Sequence, residues 1–163
     1  MICVDRARAI LIALIICGAH VVSAHATEHE GGPAHKSSHD PHPNMLGVFL
    51  GETFDGREEE FTIGLEYERR VNQSFGIGAF AEYVSGDLDF WVYGLPFAYH
   101  TGRWKLYLAP AVEDGEHGSE FLVRVGGEYA FEVGEWEISP QLNLDFVDSE
   151  EVWVLGFVIG KGF

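Results

Sequence analysis

The sequence predicts an all-β protein, built as an eight-stranded antiparallel up-and-down barrel. Three observations carry this. From Met45 onward, large apolar side chains recur at every second residue in segment after segment. A strand sends alternate side chains to opposite faces, so each segment reads as a two-faced strand. Turn-forming clusters divide the region into eight such segments. The last segment puts Trp153, Leu155, Phe157, Ile159 and Phe163 on one register, with Lys161 its one polar member, and it finishes on the aromatic ring.

The elements follow in order. The first strand spans 46–54 and the second 60–71, where Phe61, Ile63, Leu65 and Tyr67 oppose Thr62, Gly64, Glu66 and Glu68. The third, 74–85, sets Phe75, Ile77, Ala79 and Tyr83 against Gly76, Gly78 and Glu82. The fourth, 88–99, is apolar on both faces, so its direction stays open. The fifth, 103–113, opposes Trp104, Leu106, Leu108 and Val112 to Lys105, Tyr107, Ala109 and Glu113. The sixth, 120–133, opposes Phe121, Val123, Val125, Tyr129 and Phe131 to Arg124, Gly126, Glu128, Ala130 and Glu132. The seventh, 136–147, is the cleanest: Trp136, Ile138, Leu142, Leu144 and Phe146 against Glu137, Ser139, Gln141, Asn143 and Asp145. The eighth, 151–163, backs its large residues with Val154, Gly156, Val158, Gly160 and Gly162, and its pairing with the first would close the barrel. Pro96 and Pro110 fall inside these spans, and a proline lacks the ladder donor, so each should mark a bulge or strand end.

Two segments precede the barrel. Residues 1–26 read as a signal peptide: Arg6 and Arg8, an apolar run from Ile10 to Ile16, and Ala24-His25-Ala26 before the cut. Residues 27–44 hold Pro, Gly, Ser, His and acids and are expected to be a disordered, His-rich leader. The barrel domain is then 45–163. Both cysteines, Cys3 and Cys17, lie in the signal, so the exported chain forms no disulfide. Without residues 1–26 the chain keeps 25 acidic and 8 basic residues, a net charge of −17 with histidines neutral. That charge excludes a nucleic-acid partner.

Alternation does not say which face points inward. A soluble lipocalin-like barrel turns its apolar face in, around a ligand, and a membrane barrel turns it out. No stretch after the leader is a continuous apolar run long enough for a spanning helix, so a membrane form must be a closed barrel. The glycines Gly64, Gly76, Gly78, Gly126, Gly156, Gly160 and Gly162 gather on the slim or polar face, as a narrow barrel interior requires. Aromatics such as Trp104, Trp136, Trp153, Phe75, Tyr83 and Phe146 stand near strand ends, like an interfacial girdle. The apolar face is therefore expected outward, in a transmembrane barrel. Glu66, Glu68, Glu82, Lys105, Glu113, Arg124, Glu128, Glu132, Glu137 and Asp145 then face inward, where Arg124, Lys105 and Arg70 neutralise part of the acid. Eight strands enclose little more than their own side chains, so no open diffusion pore is expected. The tight connections at 71–73, 100–102 and 133–135 alternate with an acidic set at 55–59, 86–87, 114–119 and 148–150. With the termini inside, the acidic set faces out of the cell.

On the strand pattern and the terminal segment Trp153, Leu155, Phe157, Ile159 and Phe163, the stretch from Met45 to Phe163 resembles small eight-stranded bacterial outer-membrane barrels of the OmpA-transmembrane-like, porin-opacity type. The terminal residues resemble that family's assembly signal, with Lys161 where the family prefers an apolar residue. A lysine at the membrane boundary can snorkel. The resemblance implies a monomer of the Gram-negative outer membrane, inserted by the assembly machinery and set among lipid and lipopolysaccharide. The implied role is non-enzymatic, in envelope integrity or surface interaction.

Three further patterns bear on chemistry. His29, His35, His39 and His42 could take zinc, copper or nickel, although their spacing matches no compact structural site. A solvated leader is the simpler reading, and no cofactor is expected beyond a divalent cation there or at the acidic turns. The turn acids, including Glu58, Glu59, Glu60, Asp114, Glu116, Glu150 and Glu151, suit calcium or magnesium shared with lipopolysaccharide phosphates, but they follow no calcium-loop spacing. His117 and Ser119, with Glu120 or Glu128, superficially resemble the set of lipid A deacylases, which are barrel enzymes that modify lipid. Only the His-x-Ser fragment matches, so the enzyme reading, like the soluble barrel, stands as an alternative.

Overall fold

The computed structural model describes residues 42–56, 58–116, 118–148 and 150–163. The expected signal peptide and the leader before His42 lie outside the described residues. The strands are β1 (Asn44–Asp55), β2 (Glu58–Arg70), β3 (Phe75–Val84), β4 (Phe90–Gly94), β5 (Phe97–Thr101), β6 (Trp104–Gly115), β7 (Gly118–Tyr129), β8 (Phe131–Val133), β9 (Trp136–Val147) and β10 (Glu150–Gly162).

These ten segments make eight staves. β4 and β5 keep one register against β3, with Phe80 opposite Gly94 and Phe75 opposite Tyr99. β7 and β8 likewise keep one register against β9, with Leu122 opposite Val147 and Phe131 opposite Ile138. Each stave pairs antiparallel with the next, and β10 pairs with β1 from Met45–Gly162 to Phe54–Trp153. The sheet thereby closes into an eight-stranded barrel, and closure removes the exposed edges that an open sheet presents. Beyond the ladder, Phe163 N–H donates to Asn44 O at 2.9 Å, which ties the chain's last residue to the start of β1.

The prolines explain one interruption. Gly94 faces Ala111 and Phe97 faces Leu108, so Leu95 stands opposite Pro110. Pro110 has no N–H to give across that gap, but its carbonyl accepts from Leu95 N–H at 3.1 Å. Pro96 likewise accepts from Gly78 N–H at 2.9 Å while donating nothing. Pro96 ends β4 as expected; Pro110 does not end β6, because its missing donor faces the gap that Pro96 already makes.

The apolar face points outward. Leu65, Phe97, Trp104, Leu108, Phe121 and Phe157 are all exposed, while Glu82, Arg124, Gln141 and Asn143 are buried. A soluble ligand-binding barrel would show the reverse. The outer face is an apolar band with aromatic contacts toward both ends, Trp104–Tyr129 (4.9 Å) at one and Tyr83–Trp91 (5.1 Å) at the other. The fourth stave resolves with Phe90, Val92 and Gly94 inward and Trp91 and Tyr93 outward.

The turns sort by end. Those joining β1–β2, β3–β4, β6–β7 and β9–β10 form an acidic end, and the other three share the opposite, terminal end with Asn44 and Phe163. Two-residue hairpins stand at the terminal end: Gly102-Arg103 and Gly134-Glu135 are entered by glycines at φ 62° and 67°. Such φ suits glycine and matches the twist of the flanking strands.

Candidate functional site

The interior carries the chemistry of this molecule, and strand register builds it. Arg124 on β7 lies opposite Asp145 on β9. Its Nε and Nη2 donate to Asp145 Oδ1 and Oδ2 at 2.7 and 2.8 Å. Its Nη1 crosses the lumen to both carboxylate oxygens of Glu82 on β3, at 2.7 Å each. The guanidinium also sits 4.6 Å from the Phe80 ring centroid. All three charged groups are buried, Arg124 at 1% exposure. Bidentate pairing of this kind is the strongest form of charge-assisted hydrogen bond.

A second layer lies nearer the terminal end. Lys105 Nζ is 2.6 Å from Glu128, its partner across the β6–β7 ladder, and 3.4 Å from Glu68. Glu68 also receives His100 Nε2 at 2.6 Å and lies 3.6 Å from Arg70 Nε. Between the layers, Tyr107 donates to Asn143 at 2.5 Å, and Gln141 donates to Tyr107 and, at 3.1 Å, to Glu66. Glu66, Glu68, Glu82, Lys105, Arg124, Glu128 and Asp145 all face inward, in two linked layers. His100, Tyr107, Gln141 and Asn143 complete them; Tyr107, Gln141 and Asn143 share parity with charged neighbours, and His100 with buried Ala98.

The interior is filled but only partly polar, which corrects the expectation of a polar lumen. Phe80, Val84, Phe90, Val92, Ala111, Leu122 and others pack into one apolar cluster. Phe49, Val154 and Val158 form another. The cause is the fourth stave's second apolar face and the inward ring of Phe49, neither of which alternation alone assigns. A cavity of about 10 Å³ beside Glu66, Glu68, Lys105 and Tyr107 has room for roughly one water.

Glycine makes space where the barrel closes. Gly51 and Gly156 stand opposite each other in the β1–β10 pair. A Cβ on Gly156 would lie 2.6 Å from Phe49 Cζ and 2.7 Å from Gly51 Cα. The Phe49 ring covers both glycines, as an aromatic often does for glycine in a sheet. Trp153, Phe157, Ile159 and Phe163 present exposed apolar surface on the outer face, and Leu155 is half-buried there. Lys161 Nζ turns to Glu135 at 2.7 Å and lies 5.7 Å from the Trp136 ring centroid, at the terminal end.

The remaining candidates separate. His29, His35 and His39 lie outside the described residues, and His42 is exposed beside Gly162. His117 is outside them too. Ser119 Oγ donates to Asp114 at 2.5 Å, a bond within its own hairpin. Glu128 is bound to Lys105 toward the other end of β7 and does not join Ser119. Among the described residues, no group of three or more His, Cys, Asp or Glu side chains could hold a metal ion.

No protein-family model matches the chain, and no curated protein does. Solved structures do. The N-terminal β-barrel domain of Pseudomonas aeruginosa OprF is similar over 76% of this chain and 99% of its own, at 10% identity and a TM-score of 0.54. The Yersinia pestis outer membrane protein Ail in a phospholipid nanodisc covers 74% and 99%, at 12% identity and a TM-score of 0.50. A de novo designed transmembrane β-barrel covers 72% and 96%, at 8% identity and a TM-score of 0.50. The shared property is the fold, that of small transmembrane barrels.

Proposed function

We propose that the protein is a monomeric, non-enzymatic barrel of the bacterial outer membrane that serves envelope integrity or surface interaction. The observation that carries this reading is Arg124 bound to Asp145 on one wall and Glu82 on another. A guanidinium bridging the lumen, with apolar clusters beside it, supports a sealed plug. The outward apolar band and the similarity to outer-membrane barrels support the location.

On this reading the terminal end faces the periplasm, where the assembly machinery engages the segment from Trp153 to Phe163. The acidic end faces out and meets lipopolysaccharide phosphates through divalent cations. Fractionation with heat-modifiable gel migration and planar-bilayer recording tests the proposal. The expected result is a carbonate-resistant, heat-modifiable protein without open-pore conductance steps. Extraction by carbonate as a detergent-free monomer would sink the membrane reading, and sustained conductance would sink the sealed interior.

A further inference from the structure

The inner face of the wall formed by β7, β8 and β9 carries a column of oxygen-bearing side chains that the two ion-pair layers do not use up. β7 and β8 keep one register against β9, so three inward pairs follow one another toward the terminal end. Glu128 faces Gln141, Ala130 faces Ser139, and Glu132 faces Glu137. The exposed Phe131, Val133, Trp136 and Ile138 take the opposite face, which fixes this one as lumenal. Glu128, Ser139 and Gln141 are buried, Glu137 is half-buried, and Glu132 is exposed at the rim. The column therefore runs from the buried interior out to solvent.

Two independent features of this column point to a cation. At its deep end, Glu128 Oε2 and Gln141 Oε1 are buried and have no hydrogen-bond partner among the described residues. Both are acceptors, on directly paired residues, so one electropositive group can satisfy them together. Lys105 is committed to the other oxygen, Glu128 Oε1, at 2.6 Å. At the rim, Glu132 and Glu137 set two carboxylates directly opposite each other, and like charges so placed destabilise a sheet. Among the described residues no Lys or Arg bridges them. Lys161 pairs with Glu135, and Arg103, whose carbonyl accepts from Ala130 N–H at 2.8 Å, makes no ion pair. Midway, Ser139 Oγ donates to Glu137 Oε1 at 3.2 Å and keeps its lone pairs. Ala130 sets only a methyl group opposite Ser139, so the middle of the column has room.

We propose that this column binds one calcium ion, seated over Ala130 between the Glu128–Gln141 and Glu132–Glu137 pairs. The donor set selects the ion. Every donor is an oxygen, from carboxylate, amide or hydroxyl, and calcium takes about six to eight oxygens in flexible geometry. Magnesium demands a near-ideal octahedron, and zinc or copper prefers nitrogen or sulfur. The three carboxylates do not enclose an ion by themselves. The Gln141 and Ser139 oxygens lie between them and complete the set. A site open to solvent on one side belongs with the weaker extracellular calcium modules, with a Kd of about 10⁻⁴–10⁻³ M. The site lies in the lumen, so it stands or fails separately from the membrane reading.

Carbon-13 NMR of the micelle-bound protein, labelled in its glutamine side chains, tests the proposal. The Gln141 side-chain carbonyl is followed while calcium chloride is added at constant ionic strength. A saturable shift is expected with calcium, and none with magnesium at the same concentration. Glu132→Gln, at the exposed rim, should keep the fold and weaken calcium binding by about tenfold, since affinity follows ligand charge. Ala130→Leu should abolish the shift with every charge kept, and Glu137→Gln should weaken it if Ala130→Leu fails to fold. Glu58→Gln with Glu59→Gln, at the opposite end, should leave the Gln141 titration unchanged, which sets the site apart from calcium on the outer turns. No saturable Gln141 shift up to about 10 mM calcium, well above the expected Kd, overturns the proposal. An equal response to magnesium, or one identical in Glu132→Gln and the unaltered protein, overturns it too.

Discussion

Arg124 Nη1 reaches both oxygens of Glu82 at 2.7 Å, although the β4/β5 stave and β6 stand between their strands in the wall. The contact therefore spans the lumen and does not follow the sheet. Together with the Asp145 fork it fixes the distance between two walls. Arg124→Met would leave two buried carboxylates without their cation. Breaking a buried charge pair by removing one partner costs about 3–5 kcal/mol. The urea midpoint for unfolding from lipid vesicles should fall accordingly. Adding Glu82→Gln and Asp145→Asn to Arg124→Met should recover most of the loss, since no uncompensated charge then remains. An unchanged midpoint in the single variant would show that the fork does not hold the walls.

Closure of the barrel depends on Gly156. Opposite Gly51 and under the Phe49 ring, it has no room for a Cβ. Gly156→Val must push apart either the β1–β10 backbones or the ring. The expected outcome is loss of the fast-migrating, heat-modifiable band. Phe49→Ala should instead fold but lose about 3–5 kcal/mol, the usual cost of truncating a buried phenylalanine. Wild-type migration and stability for Gly156→Val would show that the seam is looser than its spacing.

Much of this was legible before the structure, for a simple reason. Period-two alternation assigns faces, so Glu66, Glu82, Lys105, Arg124, Glu128 and Asp145 were placed inside from their parity alone. Their partners were not, because partnership needs register and curvature. Arg124 meets Asp145 at 21 residues' separation and Glu82 at 42, and nothing local encodes either. Parity also fails where both faces are apolar. The inward set of Phe90 and Val92 was invisible for that reason, and the apolar half of the interior with it.

Lys161 and Glu135 give a pH test away from the lipid. The Lys161 ammonium, first by its hydrogen bond and then by its charge, holds the Glu135 carboxyl below its ordinary value. A lowered folded pKa means the pair stabilises above the unfolded carboxylate value and is lost as pH falls through the lowered one. Both side chains are largely exposed, so the contribution is small and weakens with salt. Carbon-13 titration of Glu135 in the micelle-bound barrel should show the depressed midpoint. Lys161→Ala should return it to the ordinary range, and an identical midpoint in both proteins would remove the pair.

Glu52 is the residue that breaks the outer pattern. It is exposed on the outer face of β1, between Phe61 on β2 and Leu155 on β10. Leu50, two residues nearer the middle of the strand, lies on the same face between Ile63 and Phe157. A charge on the lipid face costs about 2–4 kcal/mol for Arg or Lys at the midplane, but only about 0–1 near the interface, and acids cost less. Glu52 is therefore tolerable one ladder step inside the Phe54–Trp153 aromatic pair. Glu52→Leu should stabilise the barrel in vesicles by no more than about 1 kcal/mol, whereas Leu50→Arg should destabilise it by about 2–4. The gradient between neighbouring outward positions is the measurement that matters. If Leu50→Arg costs no more than an arginine at position 52, this face of β1 does not cross the hydrocarbon.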